Sequence, residues 1–191
     1  STETIVGPAY LQVFHHAGRW FALNQSGELL VNADPTQRFE PVARILGPDI
    51  ADAIDPLKRG EPGAPKDRTA SGPDRYSLRH IGTDVAGDRL IVYFSCVGHR
   101  PERILCTVVD LIGAPVTWRA RGAIEVLRPE TEWEGATLPP AFSKGGRARE
   151  WENSLRDPAV FRDGGDAWLV YAAAGEHGVG LARLRYSTGT R

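Results

Sequence analysis

Hydrophobic and polar positions along this chain repeat one theme three times. The first copy has an apolar stretch over residues 10–16, a Gly18 turn, the run Arg19-Trp20-Phe21-Ala22-Leu23, then Gly27 and a second apolar run at 29–31. The second opens at Tyr76-Ser77-Leu78-Arg79-His80 and passes through Gly87, the run 90–94, Gly98 and the apolar stretch 104–109. The third opens at Asp157-Pro158-Ala159-Val160-Phe161 and passes through Gly164, Trp168-Leu169-Val170-Tyr171, Gly175 and the run 179–184. Each copy predicts a strand, a tight Gly-containing turn, a strand of aromatic and β-branched residues, a Gly-containing loop and a third strand. No long stretch carries helical apolar spacing, so the fold class is all-β.

Between the copies lie connectors at 47–75 and 113–155, rich in Pro, Gly and charge. A fourth, outer strand is expected after each of the first two copies, at 39–44 and at 123–127. A four-stranded meander repeated radially is the blade of a β-propeller, an arrangement that leaves only short, protected sheet edges. A plain β-sandwich could use the same meanders, but its strands recur every 8 to 12 residues or so, without connectors of this length. The prediction is a single partial propeller domain over 1–191, with blades near 5–46, 74–128 and 155–187.

Composition narrows the function. With 23 basic and 24 acidic residues the formal charge is -1, which leaves no electrostatic footprint for nucleic acid or an anionic membrane. No apolar run is long enough to span a bilayer, and Ser1-Thr2-Glu3-Thr4 has no signal-peptide character. The expectation from these features is a cytoplasmic protein. Cys96 and Cys106 form no metal motif and are expected to be buried thiols, placed to face each other across a hairpin near Arg100-Pro101. The five histidines show no ligand spacing, so neither a metal nor another cofactor is expected.

The string Arg156-Asp157-Pro158-Ala159-Val160-Phe161, followed by Gly164-Gly165 and Trp168-Leu169-Val170-Tyr171, resembles the blade openings of five-bladed glycosidases, the arabinanase, invertase and levansucrase clan of glycoside hydrolase families 43, 32 and 68. The likeness extends to Gly18-Arg19-Trp20-Phe21-Ala22-Leu23 and to Gly87-Asp88-Arg89-Leu90-Ile91-Val92-Tyr93-Phe94-Ser95. It implies a carbohydrate partner and a glycoside hydrolase-like activity, with a non-catalytic carbohydrate-binding or scaffold propeller as the alternative. Such enzymes have five blades and this sequence supplies three, so the expectation is an N-terminally truncated chain. An open arc of blades exposes apolar faces, which predicts a homodimer that covers them.

Glycosidic cleavage uses two carboxyl groups flanking the bond. In a blade, the start of the first strand and the loop between the second and third strands share one end. That end is predicted to hold Tyr10, Arg79, His80, Arg156 and Asp157 at strand starts, and Glu102 and Glu176 in loops. The opposite end receives the turns at 17–18, 84–88 and 163–166, set aside as turn-forming polar residues. The resemblance implies that Asp157 stabilises the transition state and that Arg156 orients it or the sugar. Glu102, Glu134 and Glu176 compete for the role of proton donor, and Glu134 gains from Trp133 beside it, an aromatic suited to stacking on a sugar ring. Arg79, His80, Tyr10 and Trp133 complete the expected substrate-binding set.

Overall fold

The computed structural model describes residues 5–47, 50 and 77–186; the connector over 51–76 and both chain ends lie outside the described residues. Three antiparallel sheets form, each in chain order. The first contains β1 (Gln12–His16), β2 (Arg19–Leu23), β3 (Glu28–Asn32) and β4 (Glu40–Arg44), and the second β5 (Ser77–Ala86), β6 (Arg89–Val97), β7 (Ile104–Asp110) and β8 (Ile124–Leu127). The third contains β9 (Leu155–Asp163), β10 (Asp166–Ala173) and β11 (Gly178–Leu184). The outer strands expected at 39–44 and 123–127 are β4 and β8. These sheets are propeller blades, with the first strands β1, β5 and β9 lying next to one another along the inner edge.

Alternation along β6 explains why the middle blade reads as an almost unbroken apolar run. Leu90, Val92, Phe94 and Cys96 face the first blade, where they join Phe14, Phe21 and Leu23 and the ring of Trp118. Ile91 and Tyr93 face the third, with Leu155, Leu169 and Tyr171. A strand buried on both faces cannot show the hydrophobic-in, polar-out pattern of a half-exposed one. The same alternation corrects the expected thiol pair. Cys106 is opposite Tyr93 in the β6–β7 register, and it belongs to the core against the third blade, whereas Cys96 belongs to the core against the first. Both are free cysteines, and burial pushes the Cys106 thiol up to about 11.

The third blade has one covered face. Ala167, Leu169, Tyr171 and Ala173 of β10 are buried against the second blade, while the opposite face carries Phe161, Val179 and Leu181, which are 57%, 76% and 60% exposed.

Blades two and three meet at backbone distance. A Cβ built on Gly82 of β5 would lie 2.6 Å from the carbonyl oxygen of Pro158, so only glycine lets β5 and β9 approach at this point. Gly82→Ala is expected to destabilise the fold by about 1–3 kcal/mol, the range for overpacking, read as a lowered urea midpoint; an unchanged midpoint would show that the strands separate freely here.

Candidate functional site

Two irregularities in the inner strands build the site. The β5–β6 register shifts between Leu78 and Ile81, and the β9–β10 register shifts between Val170 and Ala172. Arg79-His80 and Asp157-Pro158 fall inside these shifts, where a bulge turns side chains away from regular alternation. Tyr10 at φ 61° and Asp157 at φ 52° are among the residues held at left-handed backbone angles. Asp tolerates that region; a tyrosine there is uncommon, and such strain concentrates at functional positions.

The result joins three blades at one end of the inner strands. The Tyr10 ring, 56% exposed, stands 4.4 Å from the His80 ring at a 31° tilt. His80 Nδ1 lies 2.5 Å from Asp157 Oδ1, with both side chains partly open to solvent. The predicted residues Tyr10, His80 and Asp157 therefore meet, one from each blade opening.

Beneath them is a charged cluster with little exposure. Glu102 is wholly buried. Its Oε1 accepts hydrogen bonds from Arg79 Nε at 2.8 Å and Ser95 Oγ at 2.7 Å, and its Oε2 lies 3.1 Å from Arg156 Nη2. Burial pushes the Glu102 carboxyl up, against the pull of the Arg156 and Arg79 guanidiniums. Burial alone would lower Arg156, but the Glu102 and Glu152 carboxylates hold it above its ordinary value. Arg156, also buried, donates from Nη2 to Glu152 at 2.5 Å and to Ser154 at 3.1 Å, and from Nη1 to Glu176 at 3.2 Å. Arg79 donates from Nη1 to the Gly146 carbonyl at 3.1 Å and from Nη2 to that of Lys144, tying the 138–154 connector to the second blade.

These positions separate the proposed carboxylates. Glu102 lies under the open end, fixed between two arginines, and does not face solvent. Glu134 is also buried and spends its carboxylate on its own turn: Oε2 accepts from the N–H groups of Glu130 and Thr131 and from the Thr131 hydroxyl, and Oε1 accepts from Tyr171 at 2.8 Å. Thr131 and Glu134 form a reciprocal capping box, and the turn ends at Gly135 in the left-handed region, where a Cβ would clash with the Glu152 carbonyl. Trp133 stacks at 6.4 Å on the same Tyr171 ring, so Trp133 and Glu134 are brought together with Tyr171 rather than with Asp157. Glu176, at φ 74° and with a side chain 26% exposed, remains partly accessible beside Arg156.

The sequence reading missed Asp84. Set aside as a turn residue, it lies within β5, is buried, and accepts from Arg162 Nε at 2.7 Å, Arg162 Nη2 at 2.6 Å and the Tyr186 hydroxyl at 2.5 Å. Asp88, not Asp84, belongs to the Gly87 turn. The bidentate clasp joins blades two and three at the end opposite His80 and Asp157, and its signal in the sequence was only the alternation of β5.

Among solved structures, an α-L-arabinanase from Cellvibrio cellulosa superposes with a TM-score of 0.53 at 15% identity, covering 92% of this chain and 47% of that one. A family 43 glycoside hydrolase, the YxiA protein from Bacillus licheniformis, gives 0.56 at 16% identity over 94% of this chain and 37% of that one. An endo-1,5-α-L-arabinanase from Thermotoga petrophila RKU-1 gives 0.54 at 15% identity, over 92% and 37%. The chain has the fold of the family 43 glycosidase propellers. In sequence it is 36% identical over 182 residues to an uncharacterized protein of Acanthamoeba polyphaga mimivirus, across 94% of this chain and 47% of that protein. The chain thus spans about half the length of the curated relative it matches. No family model matches it.

Burial of Glu134 would raise its pKa, but the Glu130 N–H, the Tyr171 hydroxyl and the Thr131 hydroxyl and N–H outweigh that and hold it below the ordinary value. A depressed folded pKa stabilises the protein above the unfolded value, and that contribution is lost as pH falls through the folded value. Glu134→Gln is expected to cost about 1 kcal/mol at pH 7 and progressively less as pH falls below about 4, read from urea unfolding of both proteins at each pH. An equal cost at all pH values would assign the effect to shape rather than charge.

Proposed function

We propose that this chain is the glycan-binding part of a glycosidase-like propeller, and that Tyr10, His80 and Asp157 contact the sugar. The observation that carries the reading is the meeting of these three side chains at one end of the inner strands. An exposed aromatic ring offers a face for the C–H side of a sugar, while a carboxylate and an imidazole offer acceptors and a donor for its hydroxyls. The likeness in fold to arabinanases makes arabinan and its oligosaccharides the first ligands to test.

Binding is favoured over cleavage by the condition of the other carboxylates. Hydrolysis needs two carboxyl groups free to reach opposite sides of the bond, and Glu102 and Glu134 are committed to internal partners. Glu176 is the described residue that supports the second reading, a hydrolase using Asp157 and Glu176, since Glu176 is partly exposed and accepts from Arg156, the chain neighbour of Asp157. For the chain by itself we further propose a homodimer covering the apolar face of β9–β11; a monomeric mass in sedimentation equilibrium across the accessible concentrations would rule this out.

Asp157→Asn is the informative substitution, because asparagine also tolerates a left-handed backbone. It is expected to weaken oligosaccharide binding about tenfold or more, the effect of losing a hydrogen bond to a charged group, with little change in Tm. Calorimetric titration reads the affinity, and reducing-sugar release from arabinan by the wild-type protein separates the two readings. Unchanged affinity in Asp157→Asn removes this residue from the site.

A further inference from the structure

A second cavity opens on the same end of the blades, and neither the sequence motifs nor the site at Asp157 uses it. Its volume is about 210 Å³, below the roughly 300–1,000 Å³ of pockets for drug-sized ligands and suited to one small ring. The 138–154 connector makes its wall. This connector is pinned by Ser143 N–H to the His99 carbonyl at 3.0 Å, by Glu152 N–H to the Ala174 carbonyl at 3.3 Å, and by the bridge between Ser154 and Glu102. It therefore lies across the loops between second and third strands in blades two and three.

The lining has two chemical characters. Leu138, Pro139 and Phe142 are apolar, and Trp151 adds an indole that is 56% exposed although His177 stacks on it at 5.5 Å and 18°. Glu152 and Asn153 supply polar groups. Glu152 keeps its side chain 37% exposed while one oxygen holds Arg156, which leaves the carboxylate with unused acceptor capacity. The Asn153 amide nitrogen donates to the Leu138 carbonyl at 2.9 Å and to the Ala136 carbonyl at 3.4 Å, which holds this part of the wall in place.

We propose that this cavity is a second saccharide site that takes a single sugar ring, with Trp151 against the ring face and the Glu152 carboxylate accepting from its hydroxyls. A flat C–H surface edged by several hydroxyl donors is the ligand chemistry that an exposed indole beside a carboxylate selects. The proposal shares the carbohydrate reading for its ligand class but does not depend on Asp157. Arg156 connects the two places: it holds Glu152 at the cavity and immediately precedes Asp157.

The test is calorimetric titration and saturation-transfer NMR with L-arabinose, D-xylose, D-glucose and D-galactose, and with their oligosaccharides up to hexaose, on the wild-type chain and on Trp151→Ala, Glu152→Gln and Asp157→Asn. Monosaccharide binding that survives Asp157→Asn and falls about tenfold or more in Trp151→Ala, with a smaller loss in Glu152→Gln, is the expected result. Trp151 is mostly exposed, so its replacement leaves the core intact, and circular dichroism confirms the fold of each variant. Binding that persists in Trp151→Ala and disappears in Asp157→Asn overturns the second site and leaves the first standing. Loss in Trp151→Ala alone, for every ligand length, supports the second site and removes the first. Absence of saturable binding to the wild-type chain for every sugar overturns both.

Discussion

The buried carboxylate of Glu102 is the constraint on which the site depends. It has left water entirely, a step that costs several kcal/mol for a single ion, and Arg79 and Arg156 offset this from two different blades. Removing one partner of such a cluster typically costs about 3–5 kcal/mol, because the remaining charge is stranded in the interior. The relative placement of the two arginines is therefore tightly held. Each arginine immediately precedes a residue of the open end, Arg79 before His80 and Arg156 before Asp157, so one carboxylate sets the spacing of both side chains that meet above it.

Around that cluster, the backbone does what regular strands cannot. Perfect alternation would send neighbouring residues to opposite faces of a blade, into one apolar core or the other. The register shifts in β5 and β9 interrupt the alternation at Arg79-His80 and at Asp157-Pro158, so that these charged side chains leave the apolar faces. The close approach at Gly82 brings the two interrupted strands together, and the Asp84–Arg162 clasp secures their opposite end. Blades two and three are thus joined by charge at both ends and by apolar packing between them. The 138–154 connector is drawn in by the same charges, through the carbonyls that Arg79 holds and through Glu152, which is how a polar linker comes to wall a cavity.

Much of this was legible in the strand pattern. Gly18, Gly87 and Gly164 sit at tight turns with positive φ, and the aromatic and β-branched runs between them fill the second strands as expected. The outer strands β4 and β8 were visible as short apolar segments after the third strands of the first two copies. Less legible was the fate of each carboxylate. Glu102, Glu134 and Glu176 are alike in sequence, each on a short polar segment beside an aromatic, a proline or a glycine, yet one is wholly buried between arginines, one caps its own turn and one stays partly exposed. Burial depends on which distant side chains converge, and local composition carries no record of that.

What the sequence by itself determined is the blade: strand, turn and strand lengths follow from side-chain alternation and from glycine at positive φ, both of which are local. It also determined which end of the blade bears Tyr10, His80 and Asp157, since antiparallel order alone places strand starts and second loops together. Only the tertiary structure decided which residues remain available for chemistry. It put Glu102 beneath the site and Asp84 in a clasp between blades, and it placed Cys96 and Cys106 on opposite faces of one sheet. Each of these outcomes rests on contacts between segments far apart in the chain, set by how two twisted sheets pack rather than by the residues on either side.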